Sequence, residues 1–330
     1  MAGVLSGFAV IVALVALGWI LARTDVLGDN ARIVINRLVF YVATPALLLD
    51  SLARTTLDQV FTGVFVVSTV SAIIIAVLYA AIARMWLRTP AADLVVGALS
   101  AGYVNSANLG IPIALYVLGD LGFVMPLLLF QVVVMQPIAI AVLEKAARTA
   151  RAGDPDGGHG GDGGLGSDGD DGHGGAIGAL AQAVKQPIVL AALAGVVIAA
   201  SPWTIPETVL EPVKLVGQIS VPGALLVFGM SLYGVKVLEA GASPRREIAL
   251  ASVLKLVAHP LIAYAIGVWV LGMRDHELLT VVVAAALPTA QNVLVVATRY
   301  GRGMLLARDS AVLTTLGALP VLLLVSALLA

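Results

Sequence analysis

The sequence predicts an all-α integral membrane protein, with ten transmembrane helices arranged as two inverted five-helix repeats in which helices four and nine are broken and cross. Three observations predict it. The 330 residues are 60% hydrophobic and 12% charged, about half the charge that covers a soluble domain. The apolar residues fall into stretches of membrane length. The basic residues gather in alternate connections between those stretches.

The same composition excludes other classes. A net charge of −1 offers no basic footprint for nucleic acid. The absence of Cys removes disulfides, thiolate zinc sites and cysteine nucleophiles together. Neither HExxH, a Walker loop nor G-x-S-x-G occurs, so no enzyme is expected.

About 20 apolar residues cross the hydrocarbon core. By that measure the spans are approximately 3–21, 33–53, 60–83, 92–118, 121–143, 186–201, 209–233, 247–272, 277–298 and 305–329. The first lacks a basic leader and is followed by Arg23, so it is expected to be a retained helix and not a signal peptide. Fifteen of the 19 Lys and Arg lie in or beside the odd-numbered loops, among them Arg32, Arg37, Arg84, Arg88, Lys145, Arg245 and Arg308. Basic loops stay in the cytoplasm. The expected location is therefore the plasma membrane, in a multi-pass topology with both termini extracytoplasmic.

Between spans five and six, residues 151–180 are mostly Gly and Asp with His159 and His173. This composition cannot bury enough apolar surface to fold, so a disordered cytoplasmic linker is expected. Its Asp residues lack the spacing and closing Glu of a calcium loop, which favours a plain solvated linker over a metal sensor. It separates a first five-helix repeat, 1–150, from a second, 181–330. An odd number of spans per half inverts the second half relative to the first, an arrangement of many secondary transporters. ATPALLL around Pro45 corresponds to SVPGALLV around Pro222, and Asn108 and Tyr116 correspond to Asn292 and Tyr300 at a shift of 184.

Spans four and nine are the least ordinary. Asn105, Ser106, Asn108, Gly110 and Pro112 interrupt one, and Pro288, Thr289, Gln291 and Asn292 interrupt the other. Proline removes a donor and clashes with the carbonyl four residues back, so a kink or unwinding is expected at each. Opened backbone at membrane depth is tolerated where it lines protein or a watery cavity. It exposes half-helix N-termini that favour anions, and carboxamides add neutral donors and acceptors. Two such breaks at matching positions predict one substrate site made of Asn105, Asn108, Gly110, Pro112, Pro288, Gln291 and Asn292. The alternative is that the amides only bridge helices and the prolines only bend them.

At these residues the chain resembles the auxin efflux carrier family, within the bile acid and sodium symporter superfamily. The resemblance covers nearly everything except the linker. It rests on Asn105 to Pro112 with Gly119, on LKLVAHPLIAY around Lys255 and Pro260, on ALPTAQN at 286–292 and on DSAVLTTLGALP at 309–320. It implies a scaffold of spans one, two, six and seven and a transport unit of the other six. It also implies substrate beside a crossover of spans four and nine, with the amides holding the carboxylate of an organic anion. Plant carriers are richer in Pro and Asn at this crossover, so auxin itself is not carried over. The family also allows a homodimer, for which the sequence has no feature of its own.

Few ionisable residues remain inside spans. Lys255 and His259 are expected to face a cavity or partner, either as anion-attracting or proton-coupling groups or as structural hydrogen-bond donors. Asp50, near the outer end of span two, is either a further coupling candidate or a solvated helix-end carboxylate. Glu211 and Lys214 are expected to be a local pair or interfacial residues, Glu144 a surface charge, and Gln131 a pocket residue of unknown direction. No cofactor is expected. With few intramembrane carboxylates to hold sodium, a proton is favoured as the coupling ion. The reading is a secondary active transporter of a small organic anion, with the lipid bilayer as surroundings. A sodium-coupled bile-acid-type symporter and a non-transporting receptor or channel remain as alternatives.

Overall fold

The computed structural model describes residues 2–28, 30–53, 63–119, 123–143, 187–201, 205–234, 237–239 and 241–329. The linker at 151–180 and Glu144 lie outside the described residues. Within them the chain is helical and has no strand beyond one isolated bridge. The helices are α1 (Ala2–Thr24), α2 (Ala31–Ala53), α3 (Gly63–Leu87), α4 (Ala91–Gly102), α5 (Ser106–Leu118) and α6 (124–143). After the linker come α7 (Pro187–Ala200), α8 (Glu207–Ser231), α9 (Arg245–Val270), α10 (Asp275–Ala286), α11 (Asn292–Tyr300) and α12 (Met304–Leu329). Five of them, α2, α3, α8, α9 and α12, are long and apolar enough to cross a membrane. Their outward faces carry exposed Val77, Trp269 and Leu328, as expected for surfaces that meet lipid rather than water.

The helices pack as two groups. One joins α1 to α8 and α2 to α7 and α8, while the other joins α3 to α4, α9 to α10, and both α9 and α10 to α12. Helix α5 touches α1 and α8 of the first group and also α6, which reaches α3 of the second. Small residues allow close approach within the first group, because lipid supplies no hydrophobic drive and packing must hold the helices. Gly18 lies on the Leu226 carbonyl and Gly229 on the Val15 carbonyl, each closer than a side chain allows. A buried hydrogen bond between Thr44 Oγ1 and Ser220 Oγ, 2.8 Å, adds a polar tie between α2 and α8. Glu211 and Lys214 pair at 3.4 Å.

Gly229→Ala is therefore expected to push α1 from α8. Overpacking of this kind costs about 1–3 kcal/mol. A lower Tm of the purified protein in detergent is the readout, and an unchanged Tm would contradict the contact.

Prolines are accommodated by widened turns. Before Pro45, Pro112, Pro137 and Pro260, the preceding residue donates five residues back: Thr44 to Val39, Ile111 to Ser106, Gln136 to Gln131 and His259 to Leu254. Such a π turn redirects carbonyls that an α-helical proline would strike. The consequence for span four is a correction. Its break falls at Tyr103–Asn105 and not at Pro112, which sits inside the second half-helix, α5. In span nine Pro288 does lie in the break, between α10 and α11.

Candidate functional site

Helix α4 stops where Tyr103 turns extended (φ −87, ψ 109), and α10 stops where Leu287 does the same (φ −57, ψ 143). The two opened segments then lie antiparallel, with Val104 opposite Thr289. Asn105 N donates to the Pro288 carbonyl at 2.8 Å and Ala290 N donates to the Tyr103 carbonyl at 3.1 Å. Each break thus satisfies backbone groups of the other, as backbone opened in an apolar medium requires. Thr289 fastens the bridge to its neighbours. Its N–H donates to Thr314 Oγ1 on α12 at 3.1 Å, and its hydroxyl donates to the Ser100 carbonyl on α4.

Asn105 then starts α5. Its Oδ1 accepts from Asn108 N at 3.1 Å, a side-chain cap at the helix N-terminus. The side chain is buried, and its Nδ2 has no hydrogen-bond partner. Gln131 on α6 repeats the arrangement: Oε1 accepts from Ser106 Oγ at 3.0 Å, and the buried Nε2 has no partner. Buried polar atoms are ordinarily hydrogen-bonded, so two spare amide donors in one place call for an explanation.

Both residues line a cavity of about 110 Å³. Six carboxamides line it, from Asn36, Asn105, Asn108, Gln131, Gln291 and Asn292, and no charged side chain does. Asn105 precedes the first turn of α5 and Gln291 precedes that of α11, so two half-helix N-termini abut the same space. Each contributes the partial positive charge of a helix N-terminus. A neutral, donor-rich cavity of this size suits a small carboxylate.

Of the residues singled out by sequence, Asn105, Asn108, Gln291 and Asn292 come together on this wall. Gly110, Pro112 and Pro288 do not line it. Gly110 packs where a Cβ would meet Leu287 Cδ1 at 3.2 Å, Pro112 supports α5, and Pro288 gives its carbonyl to the bridge. Gln131 takes the inward direction that the sequence left open. Asn36 was missed, because at the end of span two it looks like an interfacial residue. Asp50, on α2, is not on the cavity wall.

Lys255 and His259 form a separate buried pair. Lys255 Nζ lies 2.9 Å from His259 Nδ1 and 3.4 Å from the Ala285 carbonyl, and His259 Nε2 lies 3.3 Å from Ser71 Oγ. Lys255 Nζ and His259 Nδ1 share one hydrogen bond, whose donor is set by the imidazole tautomer. Ala285 ends α10 one residue before its last position, so the lysine also meets the negative end of a half-helix. This pair binds α9 to α3 and to the broken helix beside the crossover.

The family model described as "Membrane transport protein" matches residues 4–153 and 176–326. A protein of Rhizobium meliloti (strain 1021) named "Putative malonate transporter" is 26% identical over 306 residues, which cover 92% of this chain and 88% of that protein. Matched over 4–153 and 176–326, the chain belongs to the membrane transport protein family, which includes the auxin efflux carriers it resembles, and is a membrane transporter rather than an enzyme.

Proposed function

We propose that the protein is a secondary active transporter of a small carboxylate. In this reading the chain crosses the plasma membrane ten times, as two inverted five-helix repeats with basic loops in the cytoplasm and both termini outside. Substrate sits at the crossover of the two broken spans and is exposed to each side in turn. The observation that carries the reading is the amide cavity, with two unpartnered buried donors, Asn105 Nδ2 and Gln131 Nε2, beside two half-helix N-termini. Neutral amides bind an anion without burying a fixed counter-charge in the bilayer, so the emptied site can return. The name of the Rhizobium relative suggests malonate as the first substrate to test.

For coupling we propose a proton held at Lys255–His259. The pair has a donor–acceptor contact in which one proton can change partners, and it touches the end of α10 next to the substrate break. Among the described residues its other hydrogen-bond partner is Ser71.

The test is reconstitution into proteoliposomes with labelled malonate. Saturable, sodium-independent uptake that responds to a pH gradient is expected. A hydrogen bond to a charged group contributes about 1.5–3 kcal/mol, so Asn108→Ala and Asn292→Ala should each lower uptake about tenfold or more. Unchanged uptake in both variants would remove substrate from the crossover, and non-saturating conductance would make the protein a channel.

A further inference from the structure

A second cavity, of about 480 Å³, adjoins the first, and Asn36, Gln291 and Val295 line both. Its chemistry is different. Helix α2 places Arg32 and Arg37 on its wall and α12 places Arg308 there, whereas no Asp or Glu lines it. Neither Arg32 nor Arg37 is ion-paired with a described residue.

Arg308 is fixed from behind. Its Nε donates to Asp309 Oδ1 at 2.8 Å. The wholly buried Asp309 spends its other oxygen on Ser243 Oγ at 2.7 Å and on Leu238 N at 3.0 Å. The guanidinium is thereby held at Nε, while Nη2, beside Nε on the same edge, is buried and has no partner. An arginine steadied by a carboxylate at Nε keeps its charge on the cavity wall with donors to spare, and its planar fork matches carboxylate geometry.

We propose that Arg32, Arg37 and Arg308 form a second anion subsite, continuous with the amide cavity, that takes the distal carboxylate of a dicarboxylate. The inference rests on the reading of the amide cavity as the site of the first carboxylate. The two compartments divide the work by charge. Uncharged amides suffice for one carboxylate beside two half-helix ends. A dianion confined there would leave its second charge uncompensated in a low-dielectric setting. The shared Asn36 and Gln291 let one short molecule reach from amides to arginines. The same positive wall raises the local concentration of anions outside the crossover. Simple topology-setting arginines at the lipid headgroups would account for Arg32 and Arg37 alone, but not for the anchored, half-satisfied Arg308 lining the same cavity.

The experiment measures the Tm of the purified full-length protein against malonate and against propionate. The wild-type protein should be stabilised by malonate at a concentration at least about tenfold lower than by propionate. In an Arg32→Gln Arg37→Gln double variant that preference should collapse, with malonate acting only in the propionate range. This double variant decides the matter because it leaves the Asp309 cage intact. Arg308→Lys, which keeps the charge and loses the fork, should also weaken the malonate response. Asn108→Ala should weaken the responses to both ligands. If the wild type shows no malonate preference, or the double variant keeps it, the subsite is wrong while the amide site stands. If neither ligand shifts the wild-type Tm, both readings fall.

Discussion

Asn105→Asp is expected to leave the protein folded and to abolish carboxylate transport. Asp and Asn cap helices about equally well, so the bond from Asn108 N to the side-chain oxygen, 3.1 Å in the wild type, persists. What changes is the unpartnered Nδ2. A donor becomes an anionic oxygen inside a cavity lined by the amides of Asn108, Gln131, Gln291 and Asn292. That oxygen occupies the donors intended for substrate and repels the substrate's own charge. A decrease in malonate flux of at least about a hundredfold is expected, equivalent to about 2.8 kcal/mol, with Tm close to wild type. Asn105→Leu provides the contrast, because it removes cap and donor together and should lower Tm as well as flux. Wild-type flux in Asn105→Asp would place the substrate elsewhere.

Lys255→Met is expected to uncouple transport from the pH gradient. Methionine fills much of the volume of the lysine stem but donates nothing. The Ala285 carbonyl at the end of α10 and His259 Nδ1 both lose a partner. Each unsatisfied buried group costs about 1–3 kcal/mol, so a lower Tm is expected. The functional readout is separate from stability. Malonate exchange at equal pH should persist, whereas accumulation driven by an imposed pH gradient should fall to the equilibrium ratio. If accumulation survives while Tm drops, Lys255 is only a structural pin between α9 and the broken helix.

Much of the fold was legible because bilayers impose simple rules. A helix lies in the described part of every apolar range read from the sequence, and Asn105, Asn108, Gln291 and Asn292 stood out because carboxamides are rare in such ranges. Their convergence on one cavity depends on the pairing of Val104 with Thr289, a contact between residues nearly two hundred positions apart. Proline was the misleading signal. Pro112 suggested a break at its own position, but the π turn over Ser106–Gly110 absorbs it, and α4 instead ends at Gly102. Gln131 and Asn36 could not be assigned because the rotation of a helix about its axis is set by its neighbours. Arg32, Arg37 and Arg308 counted as topology-setting charges, and nothing in their spacing shows that α2 and α12 bring them to one wall. Lys255 was visible as an anomaly, but its contact with Ala285 belongs to tertiary structure.

In the proposed reading, the bridge at the crossover also limits how substrate would change sides. Pulling the two opened segments apart would strand Asn105 N–H, the Pro288 carbonyl, Ala290 N–H and the Tyr103 carbonyl, at several kcal/mol for each group left bare in hydrocarbon. Thr289 extends the fastening to α4 and α12. A door that opens along this seam is therefore a poor design, and a carriage is a better one. The crossover would travel intact with its cargo, gliding where α5 meets α1 and α8. The glycine-knit pair of α1 and α8 would be the rail it runs along.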